Sequence, residues 1–242
     1  GGASYYLGDL NTTHFNNSLP FGGIVIRKNI DRRFSYKAEL LYLNIAADDR
    51  VDATDTIAIN RGLHFRSSVF ELSGQIEFNF LPFELGNALY TWTPFVYTGI
   101  SFFHFNPQAE NKEGLWLNLQ ELGTEGQGTT LPNTDSKYSL IQFAAALGGG
   151  VKIAVSNTFN IIFEYSTRKT FTDYLDDVSG NYVSTTPTEW SDNPDAEYLS
   201  DPNNRVYPFG KERGNPNKKD WYSFAGVTLS FKLGNKTKGC DF

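Results

Sequence analysis

Ser67-Ser-Val-Phe-Glu-Leu-Ser-Gly-Gln-Ile-Glu-Phe-Asn-Phe-Leu81 decides the fold. Every second residue from Phe70 is apolar or glycine: Phe70, Leu72, Gly74, Ile76, Phe78, Phe80. The residues between them are Val69, Glu71, Ser73, Gln75, Glu77 and Asn79. Period two with one apolar face is the pattern of a strand whose two sides meet different environments. The same alternation returns at Phe159, Ile161, Phe163, Tyr165 against Asn160, Ile162, Glu164, Ser166, Arg168, and at Ile141, Phe143, Ala145, Leu147, Val151, Ile153, Val155 against Gln142, Ala144, Ala146, Gly148, Gly150, Lys152. It returns again at Ala225, Val227, Leu229, Phe231 against Gly226, Thr228, Ser230, Lys232.

Outward from that stretch, strands are expected at Gly1–Asp9, Pro20–Asn29, Phe34–Ala46, Ser67–Leu81, Trp92–Phe105, Tyr138–Val155, Phe159–Thr170 and Asp220–Leu233. Gly and Pro cluster between these segments, as turn chemistry requires. The connections alternate long and short. Asn11–Leu19 is followed by the sharp turn Ile30-Asp31-Arg32-Arg33, and the tight turn Ser156-Asn157-Thr158 precedes the longest loop. Long loops on one rim and short turns on the other are the pattern of outer-membrane barrels. The expectation is all-β: an eight-stranded antiparallel up-and-down transmembrane β-barrel with long extracellular loops and short periplasmic turns. The barrel would occupy residues 1–234, with long loops at about 48–66, 106–137 and 171–219, and 235–242 would be a periplasmic tail. An even strand number puts both termini on the periplasmic side of the outer membrane.

Composition agrees. Twenty Phe and 13 Tyr are rich for a soluble chain and usual for a barrel with aromatic girdles. The aromatics Tyr5, Tyr6, Phe34, Tyr36, Tyr90, Trp92, Tyr138, Phe171, Trp221 and Tyr222 stand near strand ends, where such girdles lie. Mean hydropathy is -0.38, and no stretch approaches the ~18 apolar residues of a spanning helix. Net charge is -6 with no basic stripe, which argues against nucleic acid as a partner. The chain contains no Met and opens inside an expected strand, so a signal peptide and a few further residues are expected upstream.

In a soluble barrel the apolar face turns inward; in a membrane barrel it turns outward, to lipid. Small residues on the polar face, as a narrow lumen requires, favour the second arrangement. The lumen would then hold Arg27, Lys37, Lys152 and Arg168 with Glu39, Glu71, Glu77 and Glu164. Buried charges must be paired, so a lumenal salt-bridge network is expected. Side chains fill an eight-stranded barrel, so structural plugging is favoured over a pore.

Chemistry-bearing patterns are sparse. His14, His64 and His104 are scattered, with no zinc spacing and no nucleophile elbow, so neither catalysis nor a cofactor is expected. Gly148-Gly149-Gly150 lies mid-strand with no following Lys-Ser/Thr and reads as close packing. Asp173, Asp176 and Asp177 form an acidic loop cluster that could take Ca²⁺, but without the spacing of a calcium loop; hydrogen-bonded loop capping is the plainer reading. Cys240 has no intrachain partner. With Asp31, Arg32, Arg33 and Asn157 it would mark a periplasmic rim able to meet a partner or anionic lipid.

Several segments carry a resemblance. They are Tyr6-Leu-Gly-Asp-Leu10, Arg61-Gly-Leu-His-Phe-Arg-Ser67, Thr93-Pro-Phe-Val-Tyr97, Phe105-Asn-Pro107, Thr124-Glu-Gly-Gln-Gly128 and Arg168-Lys-Thr-Phe-Thr-Asp-Tyr-Leu-Asp-Asp-Val-Ser179. With them the chain resembles the PorG family, small outer-membrane barrels of the Bacteroidetes type IX secretion system. The resemblance implies a non-enzymatic role in protein secretion. It implies anchoring of a periplasmic ring, built from the lipoprotein PorK and from PorN, to the outer membrane, alongside other secretion-system components. A barrel acting as a surface binder or adhesin through its long loops is the alternative.

Overall fold

The computed structural model describes residues 1–52, 56–128, 136–182, 193–203 and 210–233. Eight strands close into a ring. They are β1 (Gly2–Leu7), β2 (Leu19–Asn29), β3 (Phe34–Asp48), β4 (His64–Asn79), β5 (Trp92–His104), β8 (Ile141–Ala154), β9 (Phe159–Thr170) and β10 (Trp221–Phe231). A small hairpin, β6 (Pro107–Glu110) and β7 (Trp116–Asn118), hangs from the loop end of β4. All pairings are antiparallel between neighbours in the chain's order around the ring; β3 pairs β4 and β10 returns to β1. The expected all-β, eight-stranded barrel is the observed architecture.

The wall faces the way the alternation suggested for a membrane barrel. On β4, Phe70, Leu72 and Ile76 stand more than half exposed, while Glu71 and Glu77 are fully buried. Ile24, Ile26, Leu40, Ile100, Phe102, Ile141 and Leu229 extend the same outer apolar surface around the ring. Close inward packing explains Gly148, where a side chain would overlap the Tyr97 ring.

The structure departs from the sequence reading in three places. The ladder between β3 and β4 runs on to Asp48↔His64, so the wall rises into a stretch expected to be loop. The long connections carry short helices: α1 (Asp49–Asp52), α2 (Thr56–Arg61), α3 (Leu119–Leu122) and α4 (Pro194–Ser200). α4 starts where Asn193 accepts a hydrogen bond from the Ala196 N–H, with Pro194 in the first turn. Thirdly, Tyr5, Tyr6 and Tyr222 are not girdle residues; all three are buried. Tyr6 meets Phe65 edge-on at 4.9 Å and Tyr222 meets Phe103 at 5.4 Å. Tyr5 is roofed by His14 and Phe15, and its hydroxyl lies 2.7 Å from that of Tyr165.

Tyr6 and Tyr222 belong to an apolar core that fills the loop-side half of the barrel. On β3 the inward face changes from Lys37 and Glu39 to Leu41, Leu43 and Ile45. Val69, Phe103, Phe105 and Phe224 meet them, and Leu10, Leu63, Leu119, Leu175, Val178 and Leu199 join from the long connections. Burying each such side chain contributes roughly 1.5–3 kcal/mol. The connections are therefore a packed cap.

Candidate functional site

Three places gather polar groups: the turn-side lumen, the underside of the cap, and the turn-side rim.

The lumenal charges expected from sequence come together. Lys37 Nζ lies 2.7 Å from Glu39 and 2.8 Å from Glu164. Arg168 spans Glu39 at 3.1 Å and Glu71 at 2.8 Å. Tyr222 donates to the second Glu71 oxygen at 2.7 Å, and Gln75 donates to Glu39 at 2.6 Å. A second group joins Arg27 at 3.1 Å and Lys152 to Glu77, with Asn79 accepting from Lys152 at 2.8 Å. The first group has two cations and three anions; the second has two cations and one anion. They cancel. Lys37 sits 3.9 Å over the Tyr97 ring and Arg168 5.0 Å over Phe224, where charged lumen meets apolar core. Such an arrangement fixes a plug, since each ion meets one of opposite sign and Lys37, Glu39, Glu71 and Arg168 are fully desolvated.

The cap's underside has a different character. Tyr6 of β1 donates to Asp176 at 2.5 Å and lies 3.0 Å from Asp220, the residue before β10. Asp177 accepts from Thr124 and, at 2.7 Å, from Tyr138. Asp173 accepts from Ser179 Oγ at 2.8 Å. Glu125 accepts from the Ser179 and Gly180 N–H groups and pairs with Arg213 at 2.9 Å. Asp49 takes Arg61 at 2.7 Å, and Arg61 also donates to the Asp9 and Arg213 carbonyls. Segments from β1, the β3–β4 connection, the 106–137 connection and both ends of the 171–219 loop are tied into one buried knot. Asp173, Asp176 and Asp177 face different partners, as loop capping requires. Among the described residues no group of three or more His, Cys, Asp or Glu is arranged to hold a metal.

Acids outnumber cations here, and burial raises their pKa. Asp173 and Asp177 are each pushed up to about 6 by loss of water, against the pull of Ser179 on Asp173 and of Arg213, Thr124 and Tyr138 on Asp177. Asp176 and Asp220 are held well above the usual carboxylate range, first by burial, then by neighbouring acids: Asp9 for Asp176 and Asp176 for Asp220.

The turn-side rim is knitted together. Asp31 accepts from the Arg33 and Phe34 N–H groups, closing the β2–β3 turn. Arg32 pairs with Glu84 at 3.1 Å and covers the Tyr90 ring. Arg33 donates to the Phe80 carbonyl at 2.6 Å. Asn157 lies against Gly86 of the neighbouring connection. Cys240 and the 235–242 tail lie outside the described residues. Above this rim a cavity of about 1880 Å³, lined by Ile24, Ile26, Val227 and Phe231, reaches Arg27, Lys152 and Glu164.

Sequence reasoning found the eight lumenal charges and the three aspartates. It missed Tyr6, Asp9, Asp49, Arg61, Glu125, Arg213 and Asp220 as members of the buried knot around those aspartates. Tyr6, Asp9, Arg61 and Glu125 stand inside the quoted motifs, so the motifs themselves were the available signal; Asp49, Arg213 and Asp220 carried none. No curated protein matches the chain. The model of one family does match, over residues 1–185, a span that takes in β1 to β9 and the three loop aspartates but not Arg213 or Asp220; the chain belongs to the family described as domain of unknown function DUF6089.

Proposed function

We propose that the chain is a non-enzymatic barrel of the bacterial outer membrane that serves protein secretion as an anchor, with its turn-side rim in the periplasm. The observation that carries the membrane reading is the inverted wall: apolar side chains such as Leu72, Ile100 and Leu229 face outward while Lys37, Glu71 and Arg168 are sealed inside. A band of that kind suits lipid and not water. The charge-filled lumen supports an anchor over a pore, because opening a conduit would strand unpaired buried ions.

The secretion assignment rests on the resemblance to PorG proteins and names the type IX machinery, with PorK and PorN of the periplasmic ring as partners. The rim of Asp31, Arg32, Arg33 and Asn157 would be the contact face. Affinity purification from native membranes with mass spectrometry tests this. Ring proteins should co-purify, and charge reversal at Arg32 and Arg33 should reduce them while heat-modifiable gel mobility shows the barrel intact. Undiminished recovery of the ring would remove that rim as the contact.

One observation favours surface binding instead. On the loop side Val51, Ile57 and Leu115 are well exposed, an apolar set away from the rim. Substituting them with serine should leave secretion unchanged under the anchor reading; loss of a surface interaction with secretion intact would support the binder.

A further inference from the structure

Three oxygens meet where β1 joins the 171–219 loop, with too few hydrogens between them. The Tyr6 hydroxyl lies 2.5 Å from Asp176 Oδ2 and 3.0 Å from Asp220 Oδ1. A phenol carries one hydrogen and can donate it once. With both carboxyls ionised, one anionic oxygen would face the phenolic oxygen with nothing between them. Two buried anions would also share one dry site, which like charges at this range do not tolerate. A second proton removes both conflicts. Its place is fixed by the remaining contacts. Asp176 Oδ1 accepts from the Val178 N–H at 2.9 Å, and Asp220 Oδ2 accepts from the Leu175 N–H at 2.9 Å. Only the two oxygens that face Tyr6 are left.

We propose that Asp176 and Asp220 hold one proton between them at neutral pH, relayed through the Tyr6 hydroxyl, and that this triplet is a pH-sensitive latch fastening the cap to the barrel. In the closed state one carboxyl donates to the phenol oxygen and the phenol donates to the other carboxylate. Loss of the proton to solvent base leaves two carboxylates around a single hydrogen, and the loop separates from β1.

The surroundings favour retention of the proton. Asp9, from the β1–β2 connection, adds negative charge beside Asp176, and Asp173 adds it beside Asp220. Arg61 of α2 is the cation facing Asp176, but its guanidinium is bidentate with Asp49. His64 of β4 and Arg213 line a small adjoining cavity, and Arg213 is committed to Glu125. Lys218 acts on Asp9 and Lys219 on Asp173. Gly8 leaves the needed space, since a Cβ there would collide with both the Tyr6 hydroxyl and Asp220 Oδ1.

The folded pair binds a proton that ordinary carboxyls release below neutrality. The latch is therefore fully engaged at acidic pH and is lost as pH rises through the pair's own elevated value.

Infrared spectroscopy and hydrogen exchange on the whole chain in detergent micelles test the proposal. At neutral pH the wild type should show the carbonyl band of a buried neutral carboxyl, and both D176N and D220N should lose it, because one remaining carboxylate no longer needs to share. On alkaline titration the exchange protection of the loop amides around Leu175 and Val178, corrected for intrinsic rates, should fall by up to about tenfold per pH unit. Asp173 and Asp177 titrate near 6 and do not contribute in that range. D220N, whose amide reproduces the protonated form, should keep the protection and flatten its pH dependence. Absence of the band in the wild type would overturn the proposal even where a variant fails to fold. So would loop protection that does not change from neutral to alkaline pH.

Discussion

The turn-side lumen and the underside of the cap are both buried and charged, yet they neutralise their charges differently. In the lumen Arg27, Lys37, Lys152 and Arg168 meet Glu39, Glu71, Glu77 and Glu164, and signs balance by pairing. Under the cap Arg61 and Arg213 serve Asp49 and Glu125, while Asp173, Asp176, Asp177 and Asp220 rely on hydroxyls, backbone N–H groups and raised pKa values. The lumenal pairs need no shared proton; the cap's acids do. The lumen should therefore be the fixed part of the molecule and the cap the adjustable part.

Arg168 is where that contrast is sharpest. Replacing it with methionine leaves Glu39 and Glu71 buried without their shared cation, and removing one partner of a buried pair costs about 3–5 kcal/mol. Urea unfolding in detergent micelles, read by gel mobility, should show a loss of that size; a change under ~1 kcal/mol, the range of exposed ion pairs, would mean the lumen is wet. Tyr6→Phe removes one hydroxyl from the knot and leaves a carboxylate unsatisfied, about 1–3 kcal/mol, and the loss should appear in cap protection before barrel unfolding. Mild acidification acts only on the cap. Asp173 and Asp177, pushed up to about 6, take up protons that the unfolded chain holds more weakly. Cap protection should rise as pH falls through 6, by less than about tenfold per unit for each group, while the barrel midpoint stays put. Arg32→Ala breaks an exposed pair with Glu84 and should cost less than about 1 kcal/mol. A large loss from it would show that the rim stabilises the barrel itself.

The lumen was legible in sequence because period-two alternation fixes which side chains share a face; Glu71 and Glu77 could face only where Ser73 and Gln75 face. The apolar half above it was half-legible. From Leu40 to Ile45, β3 is apolar on both faces except at Asn44, the mark of a wall segment covered on both sides. The cap was not legible, because its contacts join residues far apart in the chain: Tyr6 with Asp220, and Arg61 with Arg213. No local periodicity encodes such pairs. Tyr6 and Tyr222 were misplaced in the girdle for the same reason: position near a strand end says nothing of the cap that closes over it. Asp173, Asp176 and Asp177 were recognised as a cluster, but only the fold shows that Asp176 reaches β1 and Asp177 reaches Thr124 and Tyr138, while Asp173 caps its own loop at Ser179.

The claim on which everything rests is that the apolar face meets lipid and the charged face is sealed. Single cysteines at Leu72 and Ser73 on β4 and at Ile100 and Ser101 on β5, in a chain with Cys240→Ser, probe it directly in reconstituted vesicles. The account predicts that L72C and I100C react with a lipid-soluble maleimide and not with a membrane-impermeant, water-soluble one, while S73C and S101C react with neither. Labelling of L72C and I100C by the water-soluble reagent would contradict it.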